Sequence, residues 1–322
     1  MTMPIIEIHD LLCRFPVGSA AWAFLRRRPQ SAIVAVDHVS LAVERGSAVG
    51  VVGESGCGKS TLARSILGLV EPTGGTILLD GAPVGRRRDA ATARRIQMVF
   101  QDPGTSLNPK MTIGAALAEM VVAHDLRPEG EVEQRCRELL DLVELPASTL
   151  GALPGDLSGG QRQRAAIARA LALEPDVLIA DEAVAALDVS VQASILNLFN
   201  RLRRELGLTL VFISHDLAVV RQVTDRVLVC YLGRVVEDQP TDQLFERPQH
   251  PYTRGLLAAA PRLDRSAPPG RSGLTGDLPT SNDIDLGCRF RGRCPVAEPR
   301  CAEVEPVLVE LGAGRQVACH LV

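Results

Sequence analysis

Gly53-Glu54-Ser55-Gly56-Cys57-Gly58-Lys59-Ser60-Thr61 is the stretch whose reading decides the fold. Just before it, residues 48–52 form a short apolar run that ends in glycines, as a parallel strand buried on both faces would. Just after it, the pattern predicts a helix from Lys59 to about Leu69, stopped ahead of Pro72. A glycine loop between strand and helix aims backbone N–H groups at one point, and the helix N-terminus adds its positive dipole end. Glycines 53, 56 and 58 keep side chains out of the way of that convergence. The nine residues therefore read as a cradle for a nucleotide's phosphates. Lys59 reaches the β- and γ-phosphates and the Ser60 hydroxyl ligates Mg²⁺. Cys57 is read as a small residue of the loop with no redox role.

Working outward, Val177-Leu-Ile-Ala-Asp181-Glu182 is an apolar strand that delivers two acids to a sheet edge. Asp181 is the candidate Mg²⁺ holder. Side chains alternate along a strand, so Glu182 points elsewhere and is the candidate to orient or deprotonate the attacking water. Strands are also predicted over residues 5–9, 35–43 and 208–213, and a hairpin over 226–238 turns at Leu232-Gly233. Helices are predicted over 131–145, 161–173 and from Val191 to Leu206, the last closed by Gly207. In the first of these, Val132, Cys136, Leu139, Leu140 and Val143 share one face, which makes Cys136 a core residue. Alternating strands and helices imply an α/β fold with a parallel sheet covered on both faces.

Composition agrees with a globular chain: 46% hydrophobic and 23% charged residues, with a formal net charge of −3. That balance gives no reason to expect nucleic-acid affinity. The basic runs at residues 26–28 and 86–88 read as solvated loops. No stretch reaches the ~18–20 apolar residues of a membrane span, and no secretory signal is apparent. The expected setting is the cytoplasm, where disulfides are rare.

Leu157-Ser158-Gly159-Gly160-Gln161 opens the predicted helix at 161–173 and separates this chain from other phosphate-loop proteins. Here the sequence resembles the ABC ATPases, whose signature reads LSGGQ. The resemblance implies an ABC-type phosphate-loop fold: a mixed core sheet flanked by helices, an antiparallel β subdomain and a helical subdomain over about 101–160. It implies that the signature binds ATP held by the opposite subunit. It also gives roles to Gln101 (Mg²⁺ and water), Asp188 in the Ala186-Leu187-Asp188 loop, and His215 (γ-phosphate). Phe15 is the candidate to stack on adenine, with Trp22 and Phe24 nearby. Two positions depart from the family pattern, Ala183 where proline is usual and Ala185 where serine is usual. They put the hydrolysis rate of this site in doubt.

Gln101-Asp-Pro-Gly-Thr-Ser-Leu-Asn-Pro109, Ser214-His-Asp-Leu-Ala-Val-Val-Arg221, Tyr231-Leu-Gly-Arg234 and His250-Pro-Tyr-Thr-Arg254 look like the oligopeptide/dipeptide importer ATPases. The chain is most similar to the second, "F"-type, member of the pair these importers use. The resemblance implies ATP hydrolysis at the cytoplasmic face of the cell membrane. The implied partners are a paralogous ATPase subunit or a second copy of the chain, two transmembrane permease subunits and, indirectly, an extracytoplasmic solute-binding protein. Nickel, glutathione or another small solute is the alternative cargo. A soluble ABC ATPase outside transport is a second alternative, and a nucleotide-binding scaffold of little turnover a third.

Residues 266–273 hold two prolines, two glycines and two serines and read as a linker. The chain is accordingly divided into an ATPase domain at 1–260 and an importer-type extension at 261–322. The extension is too short for an ordinary core, a situation in which a metal often helps. Four of the eight cysteines, Cys288, Cys294, Cys301 and Cys319, lie in it. Their spacings are wider than the close pairs of structural zinc, which favours a 4Fe–4S cluster over zinc. Plain buried thiols are the remaining reading, and His320 is an alternative ligand.

Overall fold

The computed structural model describes residues 3–17, 32–85, 87–259 and 286–322. Trp22, Phe24, the run at 26–28 and the linker at 266–273 fall outside them. The strands are β1 (Pro4–Pro16), β2 (Ala32–Glu44), β3 (Ala48–Val52), β4 (Gly74–Leu79), β5 (Ala82–Pro83), β6 (Ile96–Val99), β7 (Val177–Asp181), β8 (Thr209–Ser214), β9 (Arg226–Tyr231), β10 (Arg234–Pro240), β11 (Val309–Gly312) and β12 (Arg315–Val317). The helices are α1 (Lys59–Leu67), α2 (Ala90–Arg95), α3 (Ile113–Ala123), α4 (Val132–Leu142), α5 (Gly159–Leu171), α6 (Val189–Leu206), α7 (Leu217–Val223), α8 (Thr241–Glu246), α9 (Pro251–Ala259) and α10 (Arg300–Glu303).

Among the described residues the strands form two sheets. An eight-stranded sheet runs β11-β12-β10-β9-β3-β8-β7-β6, and a four-stranded antiparallel sheet runs β2-β1-β4-β5. The five strands from β9 to β6 are parallel, whereas β10, β12 and β11 continue the large sheet antiparallel. Every residue of β3, β7 and β8 is buried, which is why these strands read as unbroken apolar runs. Alternation along each strand divides the core in two. Leu178, Ala180, Leu210 and Phe212 pack toward α3 to α7, while Val177, Ile179, Val211 and Ile213 pack toward α1 and the small sheet.

The expected face of α4 is buried as read, Cys136 included. The hairpin turn is also where it was placed: Leu232 and Gly233 both have positive φ (44° and 85°), the geometry that matches strand twist in a two-residue turn. Strands β1 and β2 are longer than predicted because bulges break their apolar alternation.

One sequence reading needs correction. Arg88 is not a solvated loop residue. Its guanidinium donates to the carbonyls of Ser65 (2.8 Å) and Ile66 (3.0 and 3.1 Å), closing the C-terminal end of α1. The C-terminal segment, too short for an ordinary core, packs on the main one. Strand β12 pairs with β10 through Glu237↔Val317 and Asp238↔Gln316, and Phe290 joins the main core. Its entry is latched by four charges: Arg234 and Arg289 each reach both Asp37 and Glu305. Burial pushes the Asp37 carboxyl up, but the two guanidinium groups outweigh it and hold it below the usual range.

His250 is 2% exposed, and its Nδ1 accepts the Tyr252 N–H at 3.0 Å. Burial, with the charge of Arg254, lowers its pKa to about 4. A proton on Nδ1 would also break that hydrogen bond. The folded state thus resists a proton that the unfolded chain takes up near pH 6.5. Stability is therefore expected to fall as pH drops from 6.5 toward 4, by about 3 kcal/mol. Buried Glu237, whose pKa is raised by burial, acts in the opposite direction. The comparison that isolates His250 is thus between wild type and His250→Asn: chemical denaturation across this range should show a flatter decline in the variant.

Candidate functional site

The phosphate loop lies at the C-terminal edge of the parallel strands, between β3 and α1. Gly53, Gly56 and Gly58 all have positive φ (153°, 81° and 103°), the conformations that the glycine reading required. A Cβ on Gly53 would sit 2.2 Å from the Cys230 carbonyl oxygen, and one on Gly58 would sit 2.0 Å from that of Ala35. The loop is thus pressed between β9 and β2. Lys59 is 5% exposed, and its Nζ donates to the carbonyls of Gly53 (2.7 Å) and Glu54 (3.0 Å). Phosphate oxygens arriving there could replace these backbone acceptors. Cys57 is buried and its thiol is pushed up by burial, as suits a packing residue of the loop. Ser55 and Thr61 complete the loop, Thr61 within α1.

Asp181 ends β7 and is 7% exposed. The Ser60 hydroxyl donates to its Oδ1 at 3.2 Å. Burial raises the Asp181 pKa against that hydrogen bond. A buried carboxylate beside a hydroxyl is a hard oxygen donor set, and it fits Mg²⁺. Glu182 follows with φ of 48°, its N–H bonded to the Ile213 carbonyl at 2.9 Å. This turn carries its carboxylate to 3.3 Å from His215 Nδ1. His215 lies just past β8, its ring half exposed. Two acids adjacent in sequence are thereby separated: Asp181 faces Ser60 and Glu182 faces His215.

Gln101 is exposed two residues beyond β6, whose Val99 pairs with Ala180 of β7, so it shares this edge of the sheet. Phe15 is 40% exposed on β1 opposite Ile33. Its ribbon adjoins the loop, because Ala35 of the same ribbon touches Gly58. Asp188 is exposed and precedes α6 without a side-chain cap.

The signature residues sit elsewhere on the surface. Ser158 caps α5: its Oγ accepts the Gln161 N–H (3.3 Å), and Gln161 Oε1 accepts the Ser158 N–H (2.9 Å). Leu157 is buried beneath, and Gly160 lies close against Val191. The serine and glutamine thus fix the shape of their own loop. Gln161→Ala is expected to cost about 1 kcal/mol of stability through loss of this box, read as a small fall in denaturation midpoint.

Among the described residues, no group of three or more His, Cys, Asp and Glu side chains is arranged to hold a metal ion. The four C-terminal cysteines do influence one another. Burial, then the charges of Cys301, Cys294 and Cys319, pushes the Cys288 thiol up to about 11. All eight cysteines are free. His320 Nε2 is engaged with the Val304 carbonyl at 2.8 Å. Two residues at the site escaped the sequence reading. Tyr252 and Arg293 both contact Glu54 of the phosphate loop. Tyr252 lay within the quoted His250–Arg254 motif, whereas Arg293 carried no signal beyond its neighbour Cys294.

The geometry is that of a nucleotide-hydrolysing cassette, and comparison with known proteins agrees. The ABC transporter family model matches residues 36–185, and the model of the oligopeptide/dipeptide transporter C-terminal region matches 236–301. A protein of Brucella ovis described as a putative peptide import ATP-binding protein is 50% identical over 98% of this chain and 97% of its own length. A probable peptide ABC transporter ATP-binding protein of Sinorhizobium fredii is 46% identical over 100% of this chain and 91% of its own. Among solved structures, an ATP-binding cassette captured as a dimer with ADP and Pi matches with a TM-score of 0.64 at 29% identity, covering 73% of this chain and 98% of that one. A protein from Clostridium perfringens that is part of an ABC transporter complex matches with a TM-score of 0.64 at 27% identity, covering 76% and 92%. The chain belongs to the ATP-binding subunits of the ABC transporter family: it is an ATPase whose activity is coupled to transport. Among the described residues no helix is long and apolar enough to cross a membrane.

Proposed function

We propose that this chain powers the import of peptides, hydrolysing ATP between two ATPase subunits set head to tail beneath a pair of membrane permeases. The observation that carries this reading is the separation of two half-sites on one chain. Loop 53–61, Asp181, Glu182 and His215 share one edge of the sheet, while in the capped 157–161 loop Ser158 and Gln161 are exposed and bond to each other. A complete site then needs the signature of a second subunit. The peptide cargo is supported by the names of the Brucella and Sinorhizobium relatives.

In this mechanism the backbone of 53–58 and Lys59 hold the β- and γ-phosphates, with Phe15 against the adenine. Ser60, Asp181 and Gln101 hold Mg²⁺, which supplies charge neutralisation at the phosphates. Glu182 orients the water and takes its proton, while His215 senses the γ-phosphate. The opposite subunit's Ser158, Gly159 and Gly160 close over that phosphate, with Asp188 at the seam. Loss of the γ-phosphate removes the bridge and opens the pair. We assign residues 1–260 to the ATPase and 261–322 to the extension. The segment 101–160 is placed to carry the motion to the permeases, at the cytoplasmic face of the membrane.

The test is ATP turnover by the chain reconstituted with its permeases and binding protein. Peptide-stimulated turnover supports the reading. Stimulation by nickel or glutathione alone redirects the cargo, and turnover indifferent to any membrane partner overturns the transport role. We further propose that Cys288, Cys294, Cys301 and Cys319 hold a 4Fe–4S cluster, a reading supported by four free thiols in one short segment, although the structure does not arrange them as a metal-holding group. Protein purified without oxygen should be brown and contain iron; a colourless, iron-free protein ends this proposal.

A further inference from the structure

Glu54 is the sole acidic side chain in the loop from Gly53 to Thr61. A free carboxylate there would repel the polyanion the loop has to accept. It is instead anchored from both ends of the residue by segments far away in sequence. Arg293 donates from its two terminal nitrogens to the two carboxylate oxygens, at 2.7 and 2.9 Å. The backbone N–H of Glu54 donates to the hydroxyl of fully buried Tyr252 at 2.9 Å. The Arg293 side chain is 7% exposed and stands 5.9 Å from the Tyr231 ring centroid. Beyond Glu54 it interacts with the buried Tyr231 hydroxyl, although neither that oxygen nor the Arg293 Nε makes a well-formed hydrogen bond. A two-toothed guanidinium–carboxylate contact fixes orientation as well as charge.

We propose that Arg293, carried by the C-terminal cysteine segment next to Cys294, is a positioning residue that makes the phosphate loop competent for nucleotide by neutralising and anchoring Glu54. The extension would then act on the ATP site directly, as the module whose folding completes the loop. The inference rests on the reading of loop 53–61 as the ATP site.

The test is a cycle of variants in the full chain, with binding of Mg·ATP measured by titration calorimetry. Arg293→Gln is expected to weaken ATP binding about tenfold or more, the scale of a lost charge-assisted hydrogen bond. Glu54→Gln in the same chain should restore affinity to within about threefold of wild type, since a neutral amide needs no counter-charge. Unchanged affinity in Arg293→Gln, or a loss that Glu54→Gln does not relieve, overturns the proposal. Should Arg293→Gln fail to accumulate as folded protein, Arg293→Met, which also removes the charge, is read by the same criterion. Lys59→Ala separates the two layers of the argument. If it binds ATP as wild type does, the loop reading itself fails; if it loses ATP while Arg293→Gln keeps it, only the present inference fails.

Discussion

Glu182→Gln is expected to slow ATP turnover by the assembled complex by about 10²–10⁴, equivalent to about 3–5 kcal/mol of barrier, with ATP binding intact. The structural basis is how little else this side chain does. Its N–H is bonded to the Ile213 carbonyl, which holds the backbone in place whatever the side chain is. Its carboxylate has His215 Nδ1 at 3.3 Å, a contact an amide of the same shape can keep. What the amide cannot do is accept a proton. Measured turnover beside equilibrium ATP binding separates the two effects, and undiminished turnover would remove Glu182 from the chemistry. Ala183, where the family usually has proline, is 1% exposed, so the following residue is packed in place by burial.

Gly58→Ala is the second large effect. At φ of 103° any side chain is strained, and here the new Cβ would lie 2.0 Å from the Ala35 carbonyl oxygen. That obstacle is backbone of β2 and cannot rotate aside, so either the loop or the ribbon has to move. Strain and overpacking together set an expected destabilisation of about 3 kcal/mol, with ATP binding lost as the loop distorts. Gly56→Ala provides the contrast: φ is 81°, but nothing lies within 4 Å of the added carbon. It should cost about 1 kcal/mol of backbone strain alone. Thermal denaturation and ATP titration on both variants check this, and wild-type affinity in Gly58→Ala would show that the close approach of β2 is dispensable.

Much of the site was legible because its motifs are local. The loop, the strand ending in Asp181 and Glu182, and the serine–glutamine box each need neighbours within a few residues of chain, and short-range spacing records such needs directly. Other features had no local trace. Strands β4 and β6 and helix α3 were not predicted; α3 is apolar around much of its surface, which blurs the periodicity of a one-sided helix. Arg88 belonged to a basic run that looks solvated until the end of α1 is seen beneath it.

Taken alone, then, the order of residues determined the class of fold, the glycine loop between strand and helix, and the strand that ends in the paired acids. Tertiary structure alone decided that β12 extends the main sheet through β10, that four charges latch the extension to β2, and that Arg293 and Tyr252 grip Glu54 from 239 and 198 positions away. Periodicity and capping report forces that act within a turn or a strand. Ion pairs and buried hydroxyls between distant segments are set by which surfaces the folded core brings together, and no local pattern encodes that.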